Sequence, residues 1–95
     1  MHVKVTLLGD LRPPEQQGTI GFDLPEDVHL SGLIDEMGTR YGEALKERIL
    51  HPQGTSTFPL MRIMINGRDY QYVGGFDAQL NEGDTVVFMP PIAGG

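Results

Sequence analysis

The sequence predicts a small α+β domain in two layers: a mixed sheet of four to five strands with one main helix packed on one face. Three observations carry this expectation. Apolar residues alternate at Val3, Val5 and Leu7, and again at Ile20, Phe22 and Leu24, which is the period of half-buried strands. The period then becomes helical, with Leu30, Leu33, Ile34, Met37 and Tyr41 on one face. Further on, Asn66-Gly67 separates two strand-like runs, and the β-branched run Thr85-Val86-Val87-Phe88-Met89 follows.

Taken in order, Val3 to Leu7 reads as a first strand. The polar stretch from Gly9 to Gly18, with Pro13 and Pro14, reads as a loop. Ile20 to Leu24 is a second strand, the hairpin partner of the first, and Pro25 ends it because proline lacks a ladder donor. The helix follows from Leu30, with Glu36 and Arg40 at a spacing that permits an ion pair, and Gly42 closing it. Glu43 to Leu50 suits a further turn or two, with Leu45 and Ile49 inward. His51 to Thr57 is loop chemistry. Arg62 to Ile65 resumes strand character, and Asn66-Gly67 predicts a type I′ hairpin turn, because both residues tolerate positive φ. Tyr70 to Val73 is the expected return strand, Gly74-Gly75 a break, and Phe76 to Leu80 a short turn or 3₁₀ segment. Asn81 to Asp84 is another turn before the last strand. The helix supplies a crossover that places the first and last strands together, central and parallel. That is the β-grasp arrangement of ubiquitin-like domains.

Composition excludes several function classes. Thirteen acidic residues against seven basic give a net charge of −6, and the basic residues never cluster. No basic stripe is available to neutralise nucleic-acid phosphates, and an acidic surface repels anionic membranes. Without cysteine there is no disulfide, thiolate zinc site or thiol nucleophile. No apolar run is long enough to span a bilayer, and the opening residues alternate like a strand rather than a signal peptide, so a cytoplasmic location is expected. His2, His29 and His51 fall on unrelated elements without metal-ligand spacing. Asp35 and Glu36 point apart on a helix, and Ser31 and Ser56 lack an evident base, so no catalytic residue and no metal site is expected. Met37, Met61 and Met64 suit the core or a partner surface, with the core as the default.

The chemistry lies at residues 90–95. Pro90 and Pro91 stop the strand and stiffen the chain toward polyproline II, so a β domain over 1–89 would carry an extended tail of Pro90, Pro91, Ile92, Ala93, Gly94 and Gly95. Gly94 and Gly95 remove all side-chain bulk, which lets a terminal carboxylate enter a channel too narrow for other residues. A chance Gly-Gly pair at this composition has a probability of roughly 2%.

Asp84 to Gly95, with its aromatic-Met-Pro-Pro-x-x-Gly-Gly run, resembles the closing segment of the MoaD/ThiS sulfur carriers, and most resembles the small subunit of molybdopterin synthase. Leu8-Gly9-Asp10-Leu11-Arg12 is similar to that group's segment after the first strand. The stretch 51–58 and the Tyr70–Phe76 segment look more like carriers serving cysteine synthesis, or archaeal modifier-type relatives, and leave the receiving pathway open. The resemblance implies a carrier rather than an enzyme. An E1-like adenylyltransferase would use ATP to activate the Gly95 carboxylate, and a sulfur donor would convert it to a thiocarboxylate, the carried group. No cofactor would be bound permanently. The large subunit of molybdopterin synthase, or another sulfur-accepting enzyme, would receive the tail, with Arg12, Phe88 and Met89 as docking residues. Carriers for cysteine or thiamine synthesis, a protein modifier joined through Gly95 by isopeptide bonds, and a plain interaction module with an inert tail are the alternatives.

Overall fold

In the computed structural model, which describes residues 1–11, 18–50 and 61–90, both periodicities become elements. β1 (His2–Leu7) turns Val3, Val5 and Leu7 to the core and pairs antiparallel with β2 (Thr19–Asp23), with Val5 opposite Ile20 and Val3 opposite Phe22. The helical run forms α1 (Leu30–Tyr41), whose buried face is Leu30, Leu33, Ile34 and Met37. No side chain caps its start. Instead, Leu30 donates its N–H to the Ala78 carbonyl at 2.9 Å, and the Leu80 N–H donates to the Val28 carbonyl at 3.1 Å, so a distant loop satisfies one helix-start donor and pins the residue before the cap.

Gly42 ends α1 at φ 112°, with its N–H returned to Gly38. A second helix, α2 (Glu43–Leu50), follows at once and buries Ile49, with Leu45 partly covered. The expectation of one main helix is thereby extended to two. Lys46 ties them together: its Nζ lies 2.8 Å from Asp35 Oδ1, and its methylenes cross the buried Gly38, where a Cβ would meet them at 3.1 Å.

β3 (Arg62–Ile65) and β4 (Arg68–Asp69) form the expected two-residue hairpin, with Asn66 at φ 52° and Gly67 at φ 82°. The return strand itself needs correction. It is only Arg68–Asp69, and Tyr70–Tyr72 forms a 3₁₀ turn. Asp69 Oδ1 accepts from the Gln71 N–H at 2.9 Å, and Val73 donates to the Tyr70 carbonyl at 3.1 Å, so local bonds win over ladder bonds. A second 3₁₀ turn at Gly75–Asp77 agrees with the expected turn there.

β5 (Thr85–Met89) occupies the middle of the five-stranded sheet, in the order β2-β1-β5-β3-β4. It runs parallel to β1, with Val5 beside Val86, and antiparallel to β3, with Ile63 beside Phe88. The core face of the sheet carries Val3, Val5, Leu7, Ile20, Phe22, Ile63, Ile65, Val86 and Phe88, all buried in one cluster with the α1 stripe, and α2 packs on α1 and adds Ile49 to it. Burying each such side chain stabilises the fold by about 1.5–3 kcal/mol relative to exposure. Arg40, whose spacing permits a pair with Glu36, donates from its guanidinium to the Gly21 carbonyl and sits 4.3 Å from the Phe22 ring centroid.

Candidate functional site

The site begins where β5 hands the chain to Pro90. Leu8 donates its N–H to the Phe88 carbonyl at 3.0 Å, extending the parallel β1–β5 ladder to its last bond. Pro90 has no N–H with which to extend it. Beside that point Gly9 adopts φ 60°, and a Cβ built there would lie 3.0 Å from Pro90 Cγ. Gly9 is therefore required twice, once for its left-handed backbone and once for the close approach of the proline ring. The 3₁₀ turn Gly9–Leu11 is anchored by Leu11, which is buried, while Leu8 is left exposed.

Alternation along β5 divides the expected docking pair. Phe88 is fully enclosed between the sheet and the helices, so it is corrected from a docking residue to a core residue. Its side chain has no path to a partner. Met89 is partly exposed on the opposite, helix-free face. The register sets Met89 beside Arg62, and Val87 between Thr6 and Met64, so partly covered Thr6, Met64, Val87 and Met89 share that open face. Pro90 is placed against Gly9. Arg12, Pro91, Ile92, Ala93, Gly94 and Gly95 lie outside the described residues.

Sequence reasoning grouped Gly9 with its neighbours but missed its seating role. A glycine just beyond the first strand, in a fold whose first and last strands are parallel neighbours, is the signal that marks it.

At the other end of β1, His2 Nδ1 lies 2.9 Å from Asp23 Oδ1, and the backbone N–H of His2 donates to Glu82 Oε1 at 2.9 Å. The hydrogen bond from His2, and then its charge, holds the Asp23 carboxyl below its ordinary value of 3.8. The two carboxylates on Lys46 hold that ammonium above its ordinary 10.5, Asp35 chiefly, through its hydrogen bond and charge. Among the described residues no three His, Asp or Glu side chains converge as a metal site, and no helix is long and apolar enough to cross a membrane.

The sequence matches the ThiS family over residues 5–95. The chain belongs to the ThiS family. An Archaeoglobus fulgidus protein named for a sulfur carrier role is 32% identical over the full length of both chains. The Mycobacterium tuberculosis sulfur carrier protein CysO is 27% identical, and the Haloferax volcanii small archaeal modifier protein 3 is 23% identical, each over the full length of both chains. Among solved structures, Haloferax volcanii SAMP1 superposes with a TM-score of 0.75 at 19% identity, covering all of both chains. Trypanosoma brucei Urm1 gives 0.72 at 28% identity, covering 99% of this chain and 95% of that one. A Pyrococcus furiosus protein named for molybdopterin converting factor subunit 1 gives 0.70 at 26%, covering 96% and 98%. The ThiS-family fold here is thus the β-grasp expected from the element order, within a family of sulfur carriers and ubiquitin-like modifiers.

Proposed function

We propose that this ThiS-family protein is a sulfur carrier, a substrate of its partner enzymes that bears its cargo on Gly95, with residues 1–89 as the docking domain and 90–95 as the active tail. The carrying observation is the pair Gly94-Gly95 beyond Pro90, on a chain that matches the family through residue 95. The Gly9–Pro90 seating supports it, since it fixes where the chain leaves the central strand.

A carboxylate is a poor electrophile. In the proposed sequence the Gly95 carboxylate attacks the α-phosphorus of ATP on an E1-like adenylyltransferase, and pyrophosphate leaves. Sulfide-level sulfur from a donor then attacks the acyl carbon. A C–S bond forms, the C–O bond to AMP breaks, and a thiocarboxylate remains. Its charge and its sulfur nucleophilicity at neutral pH suit transfer to an electrophilic carbon. A cytoplasmic location belongs to this proposal, supported by the ATP that the activating step consumes. The proposed destination is a pterin precursor on the large subunit of molybdopterin synthase, supported by the Pro90-Pro91-x-x-Gly94-Gly95 run and by the likeness to the Pyrococcus protein. A carrier for cysteine, thiamine or another sulfur metabolite uses the same thiocarboxylate. A second reading, protein modification through Gly95, is favoured by the full-length match to an archaeal modifier protein.

Intact mass spectrometry tests the carrier chemistry. Protein treated with an E1-like enzyme, ATP and sulfide gains the mass of one oxygen exchanged for sulfur, at Gly95, and a variant lacking Gly94-Gly95 does not. Acceptor assays with the large synthase subunit then assign the pathway. An unmodified terminus in every sample, without conjugates, overturns the reading in favour of an interaction module.

A further inference from the structure

The sequence contains two lysines, Lys4 and Lys46, and the fold treats them oppositely. An amine that forms an amide must be neutral and open to approach. Lys46 meets neither condition. Its Nζ is 2.8 Å from Asp35 Oδ1 and 4.0 Å from Glu43 Oε2, and both carboxylates favour the ammonium. Its side chain is one-quarter exposed, with the methylene stem laid across Gly38.

Lys4 lies mid-way along β1 and is exposed on the helix-free face. Its cross-strand neighbours are Gly21 on β2 and Thr85 on β5. Neither is acidic, and Gly21 contributes no side chain. The acidic residues that approach β1 are engaged elsewhere: Asp23 by the His2 imidazole, Glu82 by the His2 backbone N–H, and Asp84, whose carbonyl accepts the Lys4 N–H at 2.9 Å, through a carboxylate held by Asn66 and Asn81. The imidazole ring leans over Gly21, where a Cβ would meet its Cε1 at 3.0 Å, while its Nδ1 holds the Asp23 carboxylate at 2.9 Å.

We propose that Lys4 is an acceptor site for isopeptide formation, taking the activated terminal acyl group of a second copy of this chain. The proposal rests on the acyl-adenylate of the proposed function. The Lys4 ammonium first gives one proton to water. Its neutral nitrogen attacks the Gly95 acyl carbon of the other copy, the N–C bond forms, and the C–O bond to AMP breaks with AMP taking the electron pair. The surplus proton on the new amide nitrogen passes to water. Lys46 is excluded from the same reaction by its carboxylate clamp.

Two measurements test this. In the first, folded protein is acetylated with limiting N-hydroxysuccinimidyl acetate at neutral pH, and the two lysines are followed by peptide mass spectrometry. Lys4 is expected to react severalfold faster, because the Lys46 amine is held as an ammonium by Asp35 and Glu43 and is one-quarter exposed. Equal rates, or a faster Lys46, overturn the proposal whatever becomes of the carrier reading. In the second, protein is incubated with an E1-like enzyme and ATP while pyrophosphate release is monitored. A dimer branched at Lys4, lost in Lys4→Arg and retained in Lys46→Arg, supports the proposal, with thermal melts confirming that both variants fold. Pyrophosphate release with a branch at Lys46, or with no branch at Lys4, overturns the proposal alone. No pyrophosphate release overturns the carrier reading and the transfer step with it.

Discussion

Asn66 and Asp84 clasp the β3–β4 turn to the start of β5. Asn66 Nδ2 donates to Asp84 Oδ1 at 2.9 Å, Thr85 donates its N–H to Asn66 Oδ1 at 2.9 Å, and Asn81 donates to Asp84 Oδ2 at 2.7 Å. Asp84 is the buried charged side chain among the described residues, at 8% exposure, and its two oxygens are both satisfied. Asp84→Ala leaves two donors without partners and is expected to cost about 1–3 kcal/mol in urea denaturation. Asn66→Gly keeps the positive-φ turn while removing the amide, so it isolates the clasp from the turn. The double variant is expected to lose less than the sum of the two, because one network is removed twice.

Neighbouring positions on β5 separate the core from the open face of the sheet. Phe88→Ala empties a fully buried site and is expected to cost about 3–5 kcal/mol. Met89→Ala, on the open face, is expected to leave stability within about 1 kcal/mol while weakening association with the adenylating enzyme. Calorimetry on the two variants, with binding measured for Met89→Ala, checks the division. Equal destabilisation would place Met89 in the core.

Gly9→Ala tests the seating of Pro90. The new methyl group meets the proline ring, and the backbone at φ 60° is unfavourable for alanine, costing about 1–2 kcal/mol. Thiocarboxylate formation at saturating enzyme is expected to fall more than stability does, since the chain leaves β5 in a different direction. A variant that loses stability alone would make Gly9 purely structural.

The His2–Asp23 pair makes a prediction with pH. The folded-state pKa of Asp23 lies below its ordinary 3.8, so the folded protein binds fewer protons than the unfolded one through that window. The pair's stabilisation is fully present above 3.8 and is lost as pH falls through the lower folded-state value. Denaturation curves of the wild type and Asp23→Asn are expected to differ above that value and to converge in stronger acid. A constant difference at every pH would mean that the hydrogen bond contributes nothing through charge.

The sequence was most legible where a single local cause acts. Alternation in β1 and β2, the α1 stripe and the two positive-φ residues of Asn66-Gly67 each determine their own geometry. Tyr70 to Val73 misled because its aromatic and β-branched content suits a strand, while one carboxylate at Asp69 was enough to start a turn. Arg40 shows a different limit. Glu36 is its neighbour along the helix, whereas Phe22 becomes its neighbour only after the sheet forms. The same holds for Phe88, whose face is set by pairing with Leu7 and Ile63 rather than by proximity to the tail. Pattern finds the element, and tertiary register decides which way a residue at its end faces.

The central place of β5 governs the order in which the molecule can assemble. The β1–β2 and β3–β4 hairpins each close locally, yet nothing pairs one with the other; both wait for β5 to enter between them. The last strand in sequence is thus the keystone, and contacts this distant along the chain make its insertion the slow event of folding. During synthesis the sheet stays divided until that strand has left the ribosome. Until β5 enters, neither half of the sheet can hold the other, and a chain that stops short of Thr85 has two separate hairpins.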